Sequence, residues 1–262
     1  MKISPYDKIA EFYDEGMGKN SSGEDIVFYV QQCSPAQTPI LELGCGTGRI
    51  SLPLVKAGFE VVGIDASFPM LQQLQHKAVE QLSTIERKRL FYCQMDMSNC
   101  AFNACFNFII CPFSAFVYLV DKSSQTKALA NIRSHLTTNG LFILDFFIPN
   151  LQMMALPDDH VFHDYERKLA DGNILKRTKT IQKTALPNVN LITRNYYFLD
   201  ENGKEKQIIT TKEHIQYHFP NEFKNMLQQN GFEVLKILGD FREQPCDEKT
   251  SMAVIIAKSD KN

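Results

Sequence analysis

Ile40-Leu41-Glu42-Leu43-Gly44-Cys45-Gly46-Thr47-Gly48-Arg49 constrains this chain more than any other stretch. A short apolar run bounded by turn residues reads as a buried parallel strand. The glycines at 44, 46 and 48 then allow backbone conformations closed to other residues and close approach of a ligand. Beyond Arg49, the apolar Ile50, Leu52, Leu54 and Val55 predict a short helix, with Pro53 in its first turn and Gly58 at its end. Strand, glycine turn and helix in succession form the cradle of a nucleotide cofactor.

The letters around the glycines narrow the cofactor. A dinucleotide fingerprint needs a glycine where Arg49 stands, and a phosphate-binding loop needs Lys-Ser or Lys-Thr after its last glycine. Neither is present. Glu42, at the strand end, would repel a pyrophosphate but suits a cofactor carrying positive charge. That argues for a sulfonium amino acid over a dinucleotide, and against a nicotinamide dehydrogenase.

With these residues in place, the chain resembles the class I S-adenosylmethionine-dependent methyltransferases. Leu41 to Gly48 is similar to their first motif, and Val61-Val62-Gly63-Ile64-Asp65 to their second strand. Asp65 comes roughly 20 positions after Gly44, the spacing of a ribose-binding carboxylate, which accepts two hydroxyl donors at once. The resemblance implies S-adenosylmethionine as cofactor. It implies a cofactor site formed by Tyr13, Glu42, Gly44, Cys45, Gly46, Gly48, Asp65, Ala66, Met70, Asp96, Met97, Pro112 and Phe113. Asp96, after the third strand Leu90 to Gln94, would accept from the adenine amino group, and Met97 and Met70 would cover the ring with soft contacts. The alternative for Asp96 is a turn-forming aspartate, and Met70, as an apolar helix residue, is more often a core residue.

Composition bounds the rest. At 262 residues the chain has length for one large α/β domain or one domain with an insertion, and 44% hydrophobic residues suffice for a sizeable core. A net charge of −2 with both signs interspersed leaves no basic footprint for nucleic acid. There is no run of apolar residues long enough to span a membrane, and Met1 to Asp7 carries no apolar signal core. The 7 cysteines are scattered and without a C-x-x-C pair, which fits a reducing cytoplasm.

Residues 1–39 read as a helical cap. Tyr6-Asp7 and Tyr13-Asp14 repeat seven apart, which places both tyrosines on nearly one helical face. The string resembles the N-terminal segment of small-molecule members of the family, which closes over the cofactor and makes Tyr13 the expected catalytic, site-lining residue. Gly16 to Gly23 reads as its polar hinge. Ser67 caps a predicted helix carrying Met70, Leu71, Leu74, Ala78 and Leu82. Asn107 to Cys111 is a strand that emerges into Pro112-Phe113-Ser114 at the sheet edge where ligands of such sheets bind. The family's Asn- or Asp-Pro-Pro-Tyr, used on nucleobases and glutamine, is absent there. Phe113, Phe116 and Tyr118 instead suit a small, partly apolar acceptor. Cys111 is not expected to act as a nucleophile.

Ser123 or Ser124 is expected to cap a helix that Asn139-Gly140 ends, before a strand over Leu141 to Phe147. Three strand–helix alternations make the sheet parallel and right-handed in its crossovers. A connection too short for a helix then makes the last strand, Met252 to Lys258, antiparallel. The expected architecture is thus a seven-stranded, mostly parallel Rossmann-like sheet with helices on both faces. Its cofactor-binding core spans 40–150 and is completed by 218–262. Between them, 151–217 switches to alternation punctuated by Asp171-Gly172-Asn173, Pro187-Asn188 and Asp200 to Gly203, which predicts an inserted antiparallel β-subdomain. It is expected to cover the substrate or to form a homodimer contact.

In that insert, Asp158 to Asp164 holds metal-ligand residue types, but His160 and His163 fall on opposite strand faces, so a polar loop is expected and no metal. His214, Gln216 and His218 read as one polar sheet face. Arg167, Arg177 and Arg194 have the charge to bind an acidic substrate. The functional expectation is direct methyl transfer to an N or O atom of a small molecule, the alternative being a non-catalytic S-adenosylmethionine-binding regulator or partner subunit.

Overall fold

The computed structural model describes residues 4–16, 23–34 and 36–260; six residues of the expected hinge, 17–22, lie outside these. The chain opens with two 3-10 turns, Pro5–Lys8 and Ala10–Phe12, then α1 (Tyr13–Gly16) and α2 (Glu24–Gln32). Next come β1 (Ile40–Leu43), α3 (Ser51–Lys56), β2 (Val61–Asp65), α4 (Phe68–Gln81), α5 (Thr84–Arg87) and β3 (Leu90–Gln94). There follow β4 (Phe106–Cys111), the 3-10 turn Ala115–Tyr118, α6 (Lys122–His135), β5 (Leu136–Phe147) and α7 (Leu151–Met154). The chain continues through β6 (Phe162–Lys168), β7 (Ile174–Lys183), β8 (Val189–Leu199), β9 (Glu205–Gln216), α8 (Pro220–Gln229), β10 (Phe232–Leu238) and β11 (Met252–Ser259).

The main sheet has 7 strands in the order β10-β11-β5-β4-β1-β2-β3. β1 pairs parallel with β2 and β4, and β4 with β5, whereas β11 runs antiparallel to both β5 and β10. Apolar residues of α2, α3 and α4, including Phe28, Leu54 and Leu74, fill one side of the sheet. Leu129 and Ile132 of α6 and Phe223 and Leu227 of α8 fill the other. All four β1 residues are buried, each of its leucines contributing ~1.5–3 kcal/mol by leaving water.

A second sheet of 4 strands, β6-β7-β8-β9, is an antiparallel meander between β5 and α8. Its turns use the expected chemistry: Gly172, Asn188 and Gly203 have positive φ, and Asp171 and Asp200 each accept from a main-chain amide two residues on. A small third core joins this sheet to the N-terminal segment: Ile9 packs with Leu175 and Tyr196, flanked by Tyr6, Phe12, Tyr13 and Tyr165.

Four local expectations are corrected. The segment carrying Tyr6 and Tyr13 is not one helix: a capping box between Ser4 and Asp7 closes a single 3-10 turn, and Ile9 departs from helical geometry as it enters the third core. The two tyrosines still meet, with ring centroids 5.7 Å apart. The cap of α6 is Asp121, which accepts from the Ser124 amide, rather than a serine. That helix ends at His135 rather than at Asn139-Gly140, because Leu136 already pairs with Phe106 and is buried. Finally, His214, Gln216 and His218 do not form one polar face. β9 ends at Gln216, and His218 lies beyond it, buried against Phe146 and Phe223, while His214 is exposed.

Candidate functional site

Gly44 leaves β1 with φ +75°, and both its amide and that of Cys45 bond back to the Ile64 carbonyl of β2, at 2.8 and 3.0 Å. A Cβ on Gly44 would lie 2.7 Å from that of Ala115, so only glycine fits this turn. The Gly46 amide donates to Asp65 Oδ2 at 2.9 Å, and the Ser67 amide to Asp65 Oδ1 at 2.8 Å. Burial nevertheless holds the Asp65 carboxyl above its ordinary value, these two bonds pulling it down. Ser67 caps α4, as the sequence predicts, and Met70 on its first turn is buried with its methyl against the Gly46 turn.

Glu42 sits beneath the glycine turn rather than in it. It is 2% exposed and accepts from the Ser51 hydroxyl at the start of α3. Burial lifts its pKa to about 7, while the Ser51 bond and the Arg49 charge oppose the shift. Cys45 is buried and its sulfur packs where a side chain on Gly63 would be. Ala66 is exposed and its carbonyl accepts from Gln94. Asp96 caps the 3-10 turn Met97–Asn99 through Oδ1, which takes both the Ser98 amide and hydroxyl; Met97 packs on the core from its edge.

At the end of β4 the chain makes a sharp turn through Phe113 and Ser114, both with positive φ (54° and 59°). Buried Asp145 of β5 holds it: Oδ1 accepts from the Phe113 amide at 2.9 Å and the Tyr29 hydroxyl at 2.7 Å, and Oδ2 from the Ser114 amide at 3.3 Å. Burial raises Asp145 to about 6, against these bonds. The Arg49 guanidinium lies 4.8 Å from the Phe113 ring centroid and pairs with Asp25. Cys111 is buried, which pushes its thiol well up and leaves it protonated.

The N-terminal segment crosses this edge. Asp7 accepts from Ser67 at 2.6 Å, and Asp14 from Thr47 and Lys77, each at 2.7 Å. The ring of Tyr6 meets those of Tyr13 and Tyr118 edge-on, and the hydroxyls of Tyr6 and Tyr118 bond to each other. Burial raises the Tyr13 phenol; Arg49 opposes that shift, and Asp14 and Asp65 add to it. Tyr13 is therefore a neutral phenol among the charges of the glycine turn.

The structure thus brings together Tyr13, Gly44, Gly46, Asp65, Met70, Phe113 and Arg49. It leaves Glu42 and Cys45 in the supporting layer. Sequence reasoning missed the role of Asp145, whose only signal was a lone acid in an apolar strand. It also missed Tyr6 as the partner of Tyr118, though the Tyr-Asp repeat names it. Two open surface depressions, one including Ser98 and Asn131 and one including Ile148 and Ser251, are not lined by any glycine-turn residue. Among the described residues, no helix is long and apolar enough to cross a membrane, and no group of three or more His, Cys, Asp or Glu is placed to hold a metal.

Residues 40–140 match the family of methyltransferase domains. A methyltransferase of Geobacillus sp. (strain WCH70) is 27% identical over 219 residues, 84% of this chain and 83% of that one. A cypemycin N-terminal methyltransferase of Streptomyces sp. is 30% identical over 145 residues, covering 54% of this chain and 56% of its own. An S-adenosylmethionine-dependent methyltransferase from Clostridium acetobutylicum ATCC 824 superposes with a TM-score of 0.80 at 17% identity, covering 98% of this chain and 100% of that one. Strand order, glycine turn and relatives agree: residues 40–140 match the methyltransferase domain family, set in the seven-stranded fold of the class I S-adenosylmethionine-dependent methyltransferases.

Proposed function

We propose that this enzyme methylates an N or O atom of a small-molecule acceptor by direct displacement, nitrogen being favoured by the cypemycin N-terminal methyltransferase among its relatives. The observation that carries the reading is the Gly46–Asp65 turn, facing a buried aromatic group rather than a polar nucleic-acid groove. S-adenosylmethionine supplies an already activated methyl group, so the protein's work is alignment and exclusion of water.

The chain's residues fit that cofactor. Asp65 presents a carboxylate, fixed by two amides, to the ribose hydroxyls, and the backbone of Gly44, Cys45, Gly46 and Gly48 admits close approach. Ala66, Met70, Asp96 and Met97 border the adenine end, and Glu42 sets the turn from below. Pro112 and Phe113 lie at the methyl end, and Tyr13 orients the acceptor or the methyl group. In this reading 1–39 is the cap, 40–150 with 218–262 the cofactor core, and 151–217 the acceptor cover or a homodimer contact. All seven cysteines are free thiols, in keeping with a cytoplasmic enzyme.

Calorimetric titration tests this. S-adenosylmethionine and S-adenosylhomocysteine bind, NAD does not, and Asp65→Ala weakens both by about tenfold or more, the worth of one charge-assisted bond. Tyr13→Phe keeps cofactor affinity and loses turnover. Binding of NAD in place of the sulfur compounds would overturn the reading, and full turnover of Tyr13→Phe with unchanged acceptor affinity would remove Tyr13 from it.

A further inference from the structure

The inner face of the four-stranded sheet carries a charge that methyl transfer does not use. Alternation along β8 puts Ile192, Arg194 and Tyr196 on one side, and Tyr196 belongs to the core shared with the N-terminal segment. Arg194 therefore points inward, its side chain only 14% exposed. Its Nη1 pairs with Glu213 on β9, but its Nε–H is buried and no acceptor among the described residues reaches it. The other two arginines of this sheet differ. Arg177 Nε donates to Asp164 at 2.9 Å, and Arg167 donates to the Glu15 carbonyl at 3.1 Å.

The Arg194 charge acts on Tyr6 and Tyr118, the hydroxyl-bonded pair, and Tyr196 lies in range of both Arg194 and Tyr13. In a hydroxyl pair one proton makes the shared bond and the other is left to donate elsewhere. Among the described residues, neither Arg194 Nε–H nor that second phenol proton has an acceptor. A buried donor left without an acceptor is costly, and a ligand oxygen recovers that cost. Guanidinium and phenol donors suit anionic oxygens and repel a cation. Because Glu213 already offsets the charge of Arg194, a monoanion is better matched here than a dianionic phosphate. The ring of Tyr6, in edge contact with Tyr13, links this set to the cofactor edge.

We propose that Arg194, with the hydroxyls of Tyr6 and Tyr118, is the acceptor subsite for a carboxylate, so that the acceptor is a small amino or hydroxy acid whose reacting N or O lies a few atoms from its carboxylate. This rests on the methyltransferase reading above and adds the chemical class of its acceptor.

The test titrates the protein, saturated with S-adenosylhomocysteine, with matched pairs differing only at the carboxylate. Suitable pairs are glycine and glycinamide, phenylalanine and phenylalaninamide, and 4-hydroxybenzoate and 4-hydroxybenzamide. At least one acid binds tenfold or more tighter than its amide. The double variant Arg194→Met, Glu213→Gln, which removes the ion pair without stranding its acid, brings that ratio to within twofold and leaves S-adenosylhomocysteine affinity unchanged. Arg194→Lys keeps part of the preference. Equal binding of acid and amide, no binding of any acid to the loaded protein, or a preference that survives the double substitution each overturns the proposal. Loss of S-adenosylhomocysteine binding in the unaltered protein overturns instead the reading on which it rests.

Discussion

Beneath the glycine turn, the Glu42 carboxyl faces the Ser51 hydroxyl and the Arg49 charge, with a pKa near 7 caused by burial. A carboxyl whose folded pKa lies above its unfolded value keeps a proton that the unfolded chain releases. Stability therefore falls as pH rises from the ordinary value of 4.5 to about 7, by roughly 3 kcal/mol in all. Asp145, raised to about 6, adds the same sign over a lower window. His218, whose burial lowers it to about 4, acts oppositely: its contribution is lost as pH falls from 6.5 toward that value. In thermal unfolding of the ligand-free protein between pH 5 and 8, Glu42→Gln reduces the fall across pH 5–7 to the part Asp145 leaves below about pH 6, so the variant gains on the parent as pH rises. Parallel profiles would mean that Glu42 ionises freely. At this scale the sequence is informative where the chemistry is local. The acid before the glycines and the spaced Asp65 could be read directly. Their division into supporting and facing groups could not, because it depends on which helix covers Glu42.

The turn after β4 shows what an element needs from distant partners. Phe113 and Ser114 both adopt left-handed backbone, which side-chain-bearing residues rarely do. Two bonds from Asp145 hold them there, and Tyr29 completes the carboxylate. Asp145→Ala strands the Phe113 amide and the Tyr29 hydroxyl, while the Ser114 amide keeps its bond to the residue 145 carbonyl; the loss costs ~3 kcal/mol, seen as a melting temperature lower by about 6–12 °C, together with weaker cofactor binding. Asp145→Asn, with one acceptor oxygen, falls between. A melting point unchanged in Asp145→Ala would show that the turn holds itself. The partners of Asp145 lie 116 and 32 positions away, beyond any periodicity, and so the apolar strand reads correctly while its one acid does not. The α6 cap fails for a smaller reason: Asp121, Ser123 and Ser124 all have capping side chains, and only the backbone decides among them.

Across the whole molecule, the N-terminal segment ties the glycine turn to the four-stranded sheet. Asp14 bridges Thr47 and Lys77 on one side, while Ile9 and Phe12 pack on Tyr196 and its neighbours on the other. The Lys77–Asp14 pair is partly exposed, so it is worth at most ~1 kcal/mol. Asp14→Ala accordingly speeds dissociation of S-adenosylhomocysteine about two- to fivefold, measured by stopped-flow, with the fold intact. An unchanged rate would remove the segment from any part in cofactor retention. The existence of the small sheet is legible, because alternation and turn residues are local signals. Its docking on the N-terminal segment is not, since the apolar residues involved, Ile9, Leu175 and Tyr196, come from three separate stretches.

β11 has β5 on one side and β10 on the other, although both precede it in the chain. During synthesis β10 therefore leaves the ribosome with no edge to join, and the exposed flank of β5 waits as well. The strands that carry the glycine turn are made first, and the strand that seals them is made last. Completion of the seven-stranded sheet is thus timed by translation through residue 259, and until then the nascent chain exposes two unpaired strand edges that a chaperone or a second nascent chain could reach.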